Sequence, residues 1–588
     1  MVSTSRIPDV RHSIDDYEYD DANNVVIDLT APDAELETIR ELTPGELFEF
    51  RSAFLQPDVT QRGWQVLDSA DGPYDILLRP GMGVQLQETA DGHIHYFWIK
   101  KLVQDTAGAI FMQGMLIKRH RHVFYKYSER LGDALHAVLP LRKNDVAMQL
   151  KSTPDKLGTP LREECLELRS VDEVESEREI IFTNADPPKL YGPQPHWTHA
   201  EEYGVLTCRW KFTEEFEGKK PVGYQIARLD PAECDLNKGL PDLYWRREYG
   251  KVQSIDHAVL AVRAYTYADA CAGAGGCIVG ASDAGLTPVW AIDSWDVAIN
   301  TLRENWYGLE LEQIEIQDFA NRQRTDNKYR VDVLHISFPC QGFSLLNRGV
   351  NPVRDAQNND TTLCLGKMLT TYRPRILTLE QTTGILSSRQ DQIYFRKLID
   401  QITSSGYSVR WKVINMQNHG VSQARKRLMV VAACPGQELP PFPAATHGPE
   451  DGLKPHVSLG RAIAAIPPWA TDHDVEAQKR NFAIRPLNRS EANVNLPHQH
   501  LITTAGAQFL LRDGGRLYAP TIRQNMRLQT FPDHYQITGT KTDAYKQIGN
   551  AVPCTFMKQI FREVGNTLEK SDREAREWLA ETIDLTQT

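Results

Sequence analysis

Between residues 60 and 125 apolar and polar positions alternate in short runs. These runs are Tyr74-Asp-Ile-Leu-Leu, Val84-Gln-Leu-Gln, His95-Tyr-Phe-Trp-Ile and Ala109-Ile-Phe-Met-Gln-Gly-Met-Leu-Ile, broken by turn formers such as Arg79-Pro-Gly-Met-Gly. A period of two bounded by Gly, Asp and Pro predicts a small antiparallel β domain. Residues 145–180 are charged and irregular, and strand-like pieces resume at Arg178-Glu-Ile-Ile-Phe-Thr and Gly204-Val-Leu-Thr-Cys-Arg-Trp-Lys-Phe, so the β region extends to about residue 250. After Ala258 short apolar strands alternate with helical periodicity, the pattern of βαβ units on a parallel sheet. The second half is therefore expected to be an α/β domain, ending in a surface helix from Glu569 to Ile583. No internal repeat is visible.

Length and composition fit this division. A chain of 588 residues exceeds one comfortable core, which favours two or three domains. With 41% apolar and 24% charged residues it reads as an ordinary globular protein, and no apolar run approaches the roughly 18 residues of a membrane span. The first ten residues offer no apolar signal region, so the expected location is cytosol or nucleus. Nine cysteines occur without any C-x-x-C pair, which argues against a zinc site or a disulfide framework. The net charge of −11 is unevenly spread: residues 1–50 hold thirteen Asp/Glu against three Lys/Arg and read as a flexible acidic arm. Basic clusters at Lys118-Arg119-His120-Arg121-His122, Arg425-Lys426-Arg427 and Lys479 through Arg489 are either solvated surface or contacts for a polyanion. In its order of elements, residues 51–250 resemble the bromo-adjacent homology (BAH) module of chromatin proteins, a likeness that implies a chromatin or protein partner; a generic β-barrel accounts for the same pattern.

Candidate chemistry begins at Tyr265. From there a strand runs into Gly273, Gly275 and Gly276 and then into a helix, a turn whose backbone passes close to a ligand at a helix N-terminus. Asp293, twenty residues after Gly273, is placed to hold a ribose diol. A third strand end, Ile314-Glu-Ile-Gln-Asp318-Phe319, offers Asp318 to an adenine amino group and Phe319 to its ring. Alone, the glycine turn serves a dinucleotide equally well, or no ligand at all. Further on, the apolar strand Val331-Asp-Val-Leu-His-Ile-Ser breaks at Phe338-Pro339 and delivers Cys340 onto a loop, the setting of a reactive thiolate.

Here the sequence resembles a known family. Pro339-Cys340-Gln341-Gly342-Phe343-Ser344 is similar to the nucleophile loop of the DNA cytosine-5 methyltransferases, and the other family blocks follow in order: Leu379-Glu380-Gln381-Thr382, Gln423-Ala-Arg425-Lys-Arg427, Arg523 through Gln529-Thr-Phe-Pro532, and Gln547-Ile-Gly549-Asn550-Ala-Val552-Pro553. The resemblance covers residues 265–555 and implies a Rossmann-like, S-adenosylmethionine-dependent fold acting on duplex DNA. Carbon 5 of cytosine is a poor nucleophile, so a thiolate must first add to carbon 6; Cys340 would supply it. Glu380 would meet the ring at N3, Arg425 and Arg427 would bind O2, and the target base must leave the stack. The same resemblance puts Cys271, Ser294, Phe338, Pro339, Leu363, Asn550 and Val552 on the cofactor side, with core packing the alternative for Leu363.

Two positions depart from the family. Gln381-Thr382 replaces the usual Asn-Val, and Cys271 stands where a Phe commonly packs on the cofactor. The longer Gln381 amide beside the catalytic acid is expected to affect the nucleophile loop, and the Glu-Gln-Thr form resembles the fungal RIP-defective subgroup, which implies nuclear, de novo methylation in repeat silencing. The domain reading is then an arm at 1–50, a β-rich BAH-like domain at 51–250, a catalytic domain at 251–435 and 515–588, and a compact target recognition region at 436–514. That region is rich in Pro and His early and basic later, which suits gripping phosphates more than reading base edges. Rival readings are a silencing scaffold with decayed catalysis and a tRNA methyltransferase, whose Cys-Phe-Thr motif is absent.

Overall fold

The computed structural model describes residues 64–89, 94–119, 145–152, 166–182, 206–217, 220–229, 233, 264–322, 329–338, 364–386, 389–497 and 503–587. The acidic arm, Pro339, Cys340 and Leu363 lie outside the described residues.

Every described element before residue 264 is a strand or a 3-10 turn. The strands are β1 (Gln65–Leu67), β2 (Ala70–Asp71), β3 (Leu77–Leu78), β4 (Gly83–Leu86), β5 (Tyr96–Gln104), β6 (Ile110–Arg119), β7 (Asp145–Ser152), β8 (Glu167–Ser170), β9 (Val174–Glu177), β10 (Ile180–Phe182), β11 (Leu206–Glu217) and β12 (Lys220–Arg228). Pairing is antiparallel except where β11 meets β7 and β10. Alternation along β5, shifted by a bulge between Ile99 and Lys101, puts Phe97, Ile99 and Leu102 in one core with Met112 and Leu116 of β6. Tyr74-Asp-Ile-Leu-Leu is not one strand: Pro73–Asp75 form a 3-10 turn, Tyr74 and Asp75 have φ near +60°, and only Leu77–Leu78 pair.

The α/β half follows the expected pattern. Its strands are β13 (Thr266–Ala270), β14 (Thr287–Asp293), β15 (Glu310–Gln313), β16 (Val333–Ile336), β17 (Ile376–Thr382), β18 (Ser408–Asn415) and β19 (Lys426–Ala433). Hydrogen bonding orders them β15-β14-β13-β16-β17-β19-β18, parallel except for β19, which runs antiparallel to both neighbours. The chain steps outward from β13 first to one side and then to the other, so ligands belong at the carboxyl ends around this switch point. Ala270, Ile336 and Leu379 stand in register across β13, β16 and β17, which brings those three strand exits to one level. The helices are α1 (Gly276–Asp283), α2 (Asp296–Asn305), α3 (Ile316–Asn321), α4 (Leu365–Tyr372), α5 (Arg389–Ser404), α6 (Leu459–Ile463), α7 (Val475–Ile484), α8 (Ile522–Leu528), α9 (Lys541–Asn550) and α10 (Cys554–Gln587). The C-terminal helix is longer than its surface pattern suggested. Phe556, Met557, Ile560, Phe561, Val564 and Leu568 are buried with Cys277 and Ile278 of α1, so its first turns belong to the core.

The two halves share a sheet. β12 pairs antiparallel with β18, the edge strand of the α/β half, from Gly223 opposite Lys412 to Ile226 opposite Val409. Ala147, Phe212 and Ile226 lie in the same buried cluster as Val409, Trp411 and Leu428. Sequence alone placed a boundary near residue 250; packing runs across it.

In the 436–514 region the described elements are α6, α7 and the strand β20 (Leu511–Asp513), which pairs with β21 (Arg516–Tyr518). Its basic stretch is partly neutralised from within. Lys479 is buried between Glu476 at 2.8 Å and Asp513 at 2.5 Å, and Arg489 reaches the Ala507 carbonyl. Arg480 and Arg485 remain exposed.

Candidate active site

The glycine turn is built as its composition requires. Gly273 and Gly275 have φ of +53° and +79°, and Cys271 sits at +63°, a conformation costly for a residue with a β-carbon. The glycines differ in what surrounds them. A methyl at Gly276 would lie 2.5 Å from the Val552 carbonyl oxygen and one at Gly275 2.6 Å from the Tyr535 hydroxyl, whereas nothing stands within 4 Å of a methyl at Gly273. Gly275 and Gly276 are therefore packing glycines, and Gly273 faces open space. Gly276→Ala is expected to destabilise the fold by about 1–3 kcal/mol through overpacking, while Gly273→Ala meets no clash, costs about 1 kcal/mol of backbone strain at its positive φ and chiefly weakens binding of any ligand on the open face. Thermal denaturation beside cofactor titration checks this, and a larger melting loss for Gly273→Ala would reverse the assignment.

Asp293 locks the turn. Its Oδ2 accepts the Gly273 amide at 2.8 Å and its Oδ1 the Trp295 amide at 2.9 Å. Burial raises its pKa, and those two amides pull it back down. Ser294 is exposed beside it. Trp295, which the sequence reading passed over, carries the Lys546 ammonium 4.0 Å above its ring centroid. Of the adenine pair, the stacking role of Phe319 needs correction. β15 ends at Gln313, so Asp318 and Phe319 fall on α3; Asp318 is exposed, and Phe319 is fully buried, stacked on Tyr372 at 5.1 Å. Phe319 is a core aromatic and cannot stack on a ligand. Glu315, the residue before α3, is the acid that acts electrostatically on both Asp293 and Cys271.

Asp269, also missed, is buried on β13 and accepts the Tyr267 hydroxyl at 3.1 Å. Its Oδ1 has no hydrogen-bond partner, and burial pushes its pKa well up. An open Gly273 face, with Asp293 bonded to its amide and Glu315 within electrostatic reach of Asp293, fits a ligand carrying a ribose and positive charge. Asn550 is exposed at the end of α9, and Val552 is buried with its carbonyl against Gly276.

At the next strand exits Phe338 is buried, and its carbonyl accepts the Gln381 amide at 3.4 Å. Glu380 and Arg427, assigned separate tasks from sequence, form one pair, Nε to Oε1 at 2.8 Å with both side chains about 10% exposed. The geometry is that of an ion pair and not of an aligned hydrogen bond. Arg425 is directed elsewhere: its terminal nitrogens both approach the Gly549 carbonyl at 3.4 Å. Arg425 immediately precedes β19 and Arg427 is its second residue.

The distant blocks are joined by buried amides. Gln423 donates to the Gln529 side chain at 2.9 Å, and Gln529 donates to the carbonyls of Ile548 and Ala551. Tyr535 donates to the Ala274 carbonyl at 2.7 Å. The late blocks thus brace the glycine turn and the β19 entry.

Burial also sets an acid limit. His335 is fully buried on β16 and its pKa is pulled to about 3 by desolvation. A histidine whose folded value lies below its unfolded one contributes fully above about pH 6.5 and loses that contribution as pH falls toward 3, at up to ~1.4 kcal/mol per unit. Melting temperature is expected to fall more steeply below about pH 6.5 in the wild type than in His335→Asn. Equal slopes would remove His335 from the acid limb.

Residues 265–509 and 511–566 match the family model described as C-5 cytosine-specific DNA methylase. The type II methyltransferase M.NgoFVII of Neisseria gonorrhoeae is 25% identical over 320 residues, spanning 50% of this chain and 84% of that protein. The DNA (cytosine-5)-methyltransferase 1 of Mus musculus is 30% identical over 191 residues, 30% of this chain and 12% of that one. Among solved structures, an E. coli prophage putative DNA modification methyltransferase aligns at 17% identity with a TM-score of 0.41, over 52% of this chain and all of that one.

Proposed function

Because the chain belongs to the C-5 cytosine-specific DNA methylase family, we propose that it transfers a methyl group from S-adenosylmethionine to carbon 5 of a flipped-out cytosine in DNA, with Cys340 as the nucleophile. The observation that carries this reading is the Glu380–Arg427 pair at the exit of β17, next to the strand that leads into Cys340. Gly273, Asp293 and Glu315 would hold the cofactor, which when bound supplies an electrophilic methyl on a sulfonium. The Cys340 thiolate bonds to carbon 6 of the base, and the 5,6 electron pair moves to carbon 5. Glu380, oriented by Arg427 and carrying a proton, donates it to N3 and so neutralises the negative charge that builds on the ring; the proton returns to Glu380 when the thiolate is expelled. Carbon 5 takes the methyl group, loses its proton to water or a base, and the thiolate leaves as the double bond reforms.

The finer reading is nuclear, de novo methylation of repeats, with the β half as a BAH-like contact for chromatin. It is supported by the Glu-Gln-Thr sequence. The contact of Gln381 with the Phe338 carbonyl favours the second reading, a DNA-binding scaffold with slow turnover. DNA carrying 5-fluorocytosine tests both, because fluorine at carbon 5 cannot leave as the proton does and the protein stays attached. A cofactor-dependent adduct in the wild type and none in Cys340→Ser is expected. No adduct on unmethylated, hemimethylated or mismatched duplexes would leave only the scaffold, and an adduct confined to RNA would move the chain to the tRNA enzymes.

A further inference from the structure

A single imidazole ties together three parts of the site. Nδ1 of His335 lies 2.8 Å from the Thr378 hydroxyl, and Nε2 lies 2.8 Å from the Ser337 hydroxyl and 3.3 Å from the Cys277 thiol. Thr378 stands on β17 two residues before Glu380, Ser337 stands three residues before Cys340, and Cys277 is in the first turn of α1 beyond the glycine turn. His335 and Ser337 are two apart at the end of one strand and so share a face.

Val333, Leu334 and Ile336 around it are all fully buried and apolar, so an apolar residue at 335 would suit the strand equally well. A buried polar ring has to be satisfied, and here it is satisfied by the Thr378 hydroxyl on β17, the strand of Glu380, and by the Ser337 hydroxyl just past the end of β16, on the way to Cys340. The ring is neutral, with one N–H and one lone pair. Either tautomer makes both hydroxyl bonds, since a hydroxyl can donate or accept. Asp269 of β13 stands opposite it in register, but Oδ2 of that carboxyl accepts from Tyr267 and Oδ1 bonds to nothing, the imidazole included. The imidazole therefore lacks an acid partner and the basicity to move protons at neutral pH; what it can do is fix distances. Gln381 holds the next carbonyl, that of Phe338, so two side chains pin the last residues before Pro339.

We infer that His335, acting through Ser337, is a positioning residue for the loop that carries Cys340. This rests on Cys340 being the nucleophile. The test uses the full chain and the rate of adduct formation on 5-fluorocytosine DNA, with cofactor affinity by calorimetry and melting temperature alongside. Ser337→Ala and His335→Asn are each expected to slow adduct formation about tenfold with cofactor affinity within about twofold, on the scale of one lost hydrogen bond. The double variant should be no slower than the worse single one, because both remove the same bond. Ser337→Thr keeps the hydroxyl and should restore a rate within about threefold of wild type. Wild-type adduct rates in Ser337→Ala, with only a lowered melting temperature, would overturn the inference. A wild-type protein that forms no adduct at all would instead overturn the nucleophile reading, and this inference with it.

Discussion

Arg427→Ala is expected to lower kcat by about three orders of magnitude and to destabilise the protein by about 3 kcal/mol. Arg427 and Glu380 are nearly buried and 2.8 Å apart. Removing one partner of a buried pair leaves the other charge without compensation, at a cost of about 3–5 kcal/mol. Each ~1.4 kcal/mol lost from transition-state stabilisation is tenfold in rate, so a carboxyl displaced from the base accounts for the kinetic effect. Arg427→Lys keeps the charge without the planar guanidinium and should fall between. The discriminating measurement is a double-mutant cycle with Glu380→Gln. In that background the carboxylate is gone, so Arg427→Ala should lower the melting temperature much less than it does in the wild type, with a coupling of about 1–3 kcal/mol. Equal losses in both backgrounds would mean that the pair is a bystander.

How much of this was legible beforehand depends on the range of the interaction. The glycine turn, the acid at Asp293 and the strand entering Phe338 are local signals, set by periodicity and by residues that need a positive φ, and the structure places them where the sequence does. The stacking role of Phe319 failed because strand length was misjudged: β15 stops at Gln313, so Phe319 falls on α3 and belongs to the aromatic core with Trp290, Tyr329 and Tyr372, while Asp318 stays exposed. A four-residue strand followed at once by a helix leaves little periodicity to read. The Glu380–Arg427 pair and the Gln423–Gln529 bond had no local signal at all. Those residues lie 47 and 106 positions apart, and only the antiparallel return of β19 and the packing of the late blocks bring them together. The join between β12 and β18 was hidden for the same reason, since an edge strand and a central strand differ in neighbours and not in composition.

That join carries the other large expected effect: a fragment beginning at residue 264 should be insoluble, or fold without cooperativity. Along β18, Trp411 stacks on Tyr224 at 5.5 Å, Tyr224 stacks on Phe212 at 6.3 Å, Arg410 donates to Gln225 at 2.8 Å, and Lys412 pairs with Glu215 at 3.1 Å. Truncation would return Arg410 to water, which relieves the burial that pulls its pKa down to about 10. The loss lies elsewhere, in an open edge whose unpaired backbone groups flank exposed Trp411, a template for association with other chains. β18 also leads through Met416–His419 to Gln423, Arg425 and Arg427, so loosening its edge loosens the approach to the catalytic pair. Size-exclusion chromatography and thermal unfolding of the fragment against the full chain measure the first effect. In the full chain, Tyr224→Ala with Ile226→Ala tests the seam without deleting a domain, and a stability loss of several kcal/mol is expected from two truncated apolar contacts. A monodisperse fragment that unfolds cooperatively and forms the 5-fluorocytosine adduct at the full-length rate would show that the β half is a separable module after all.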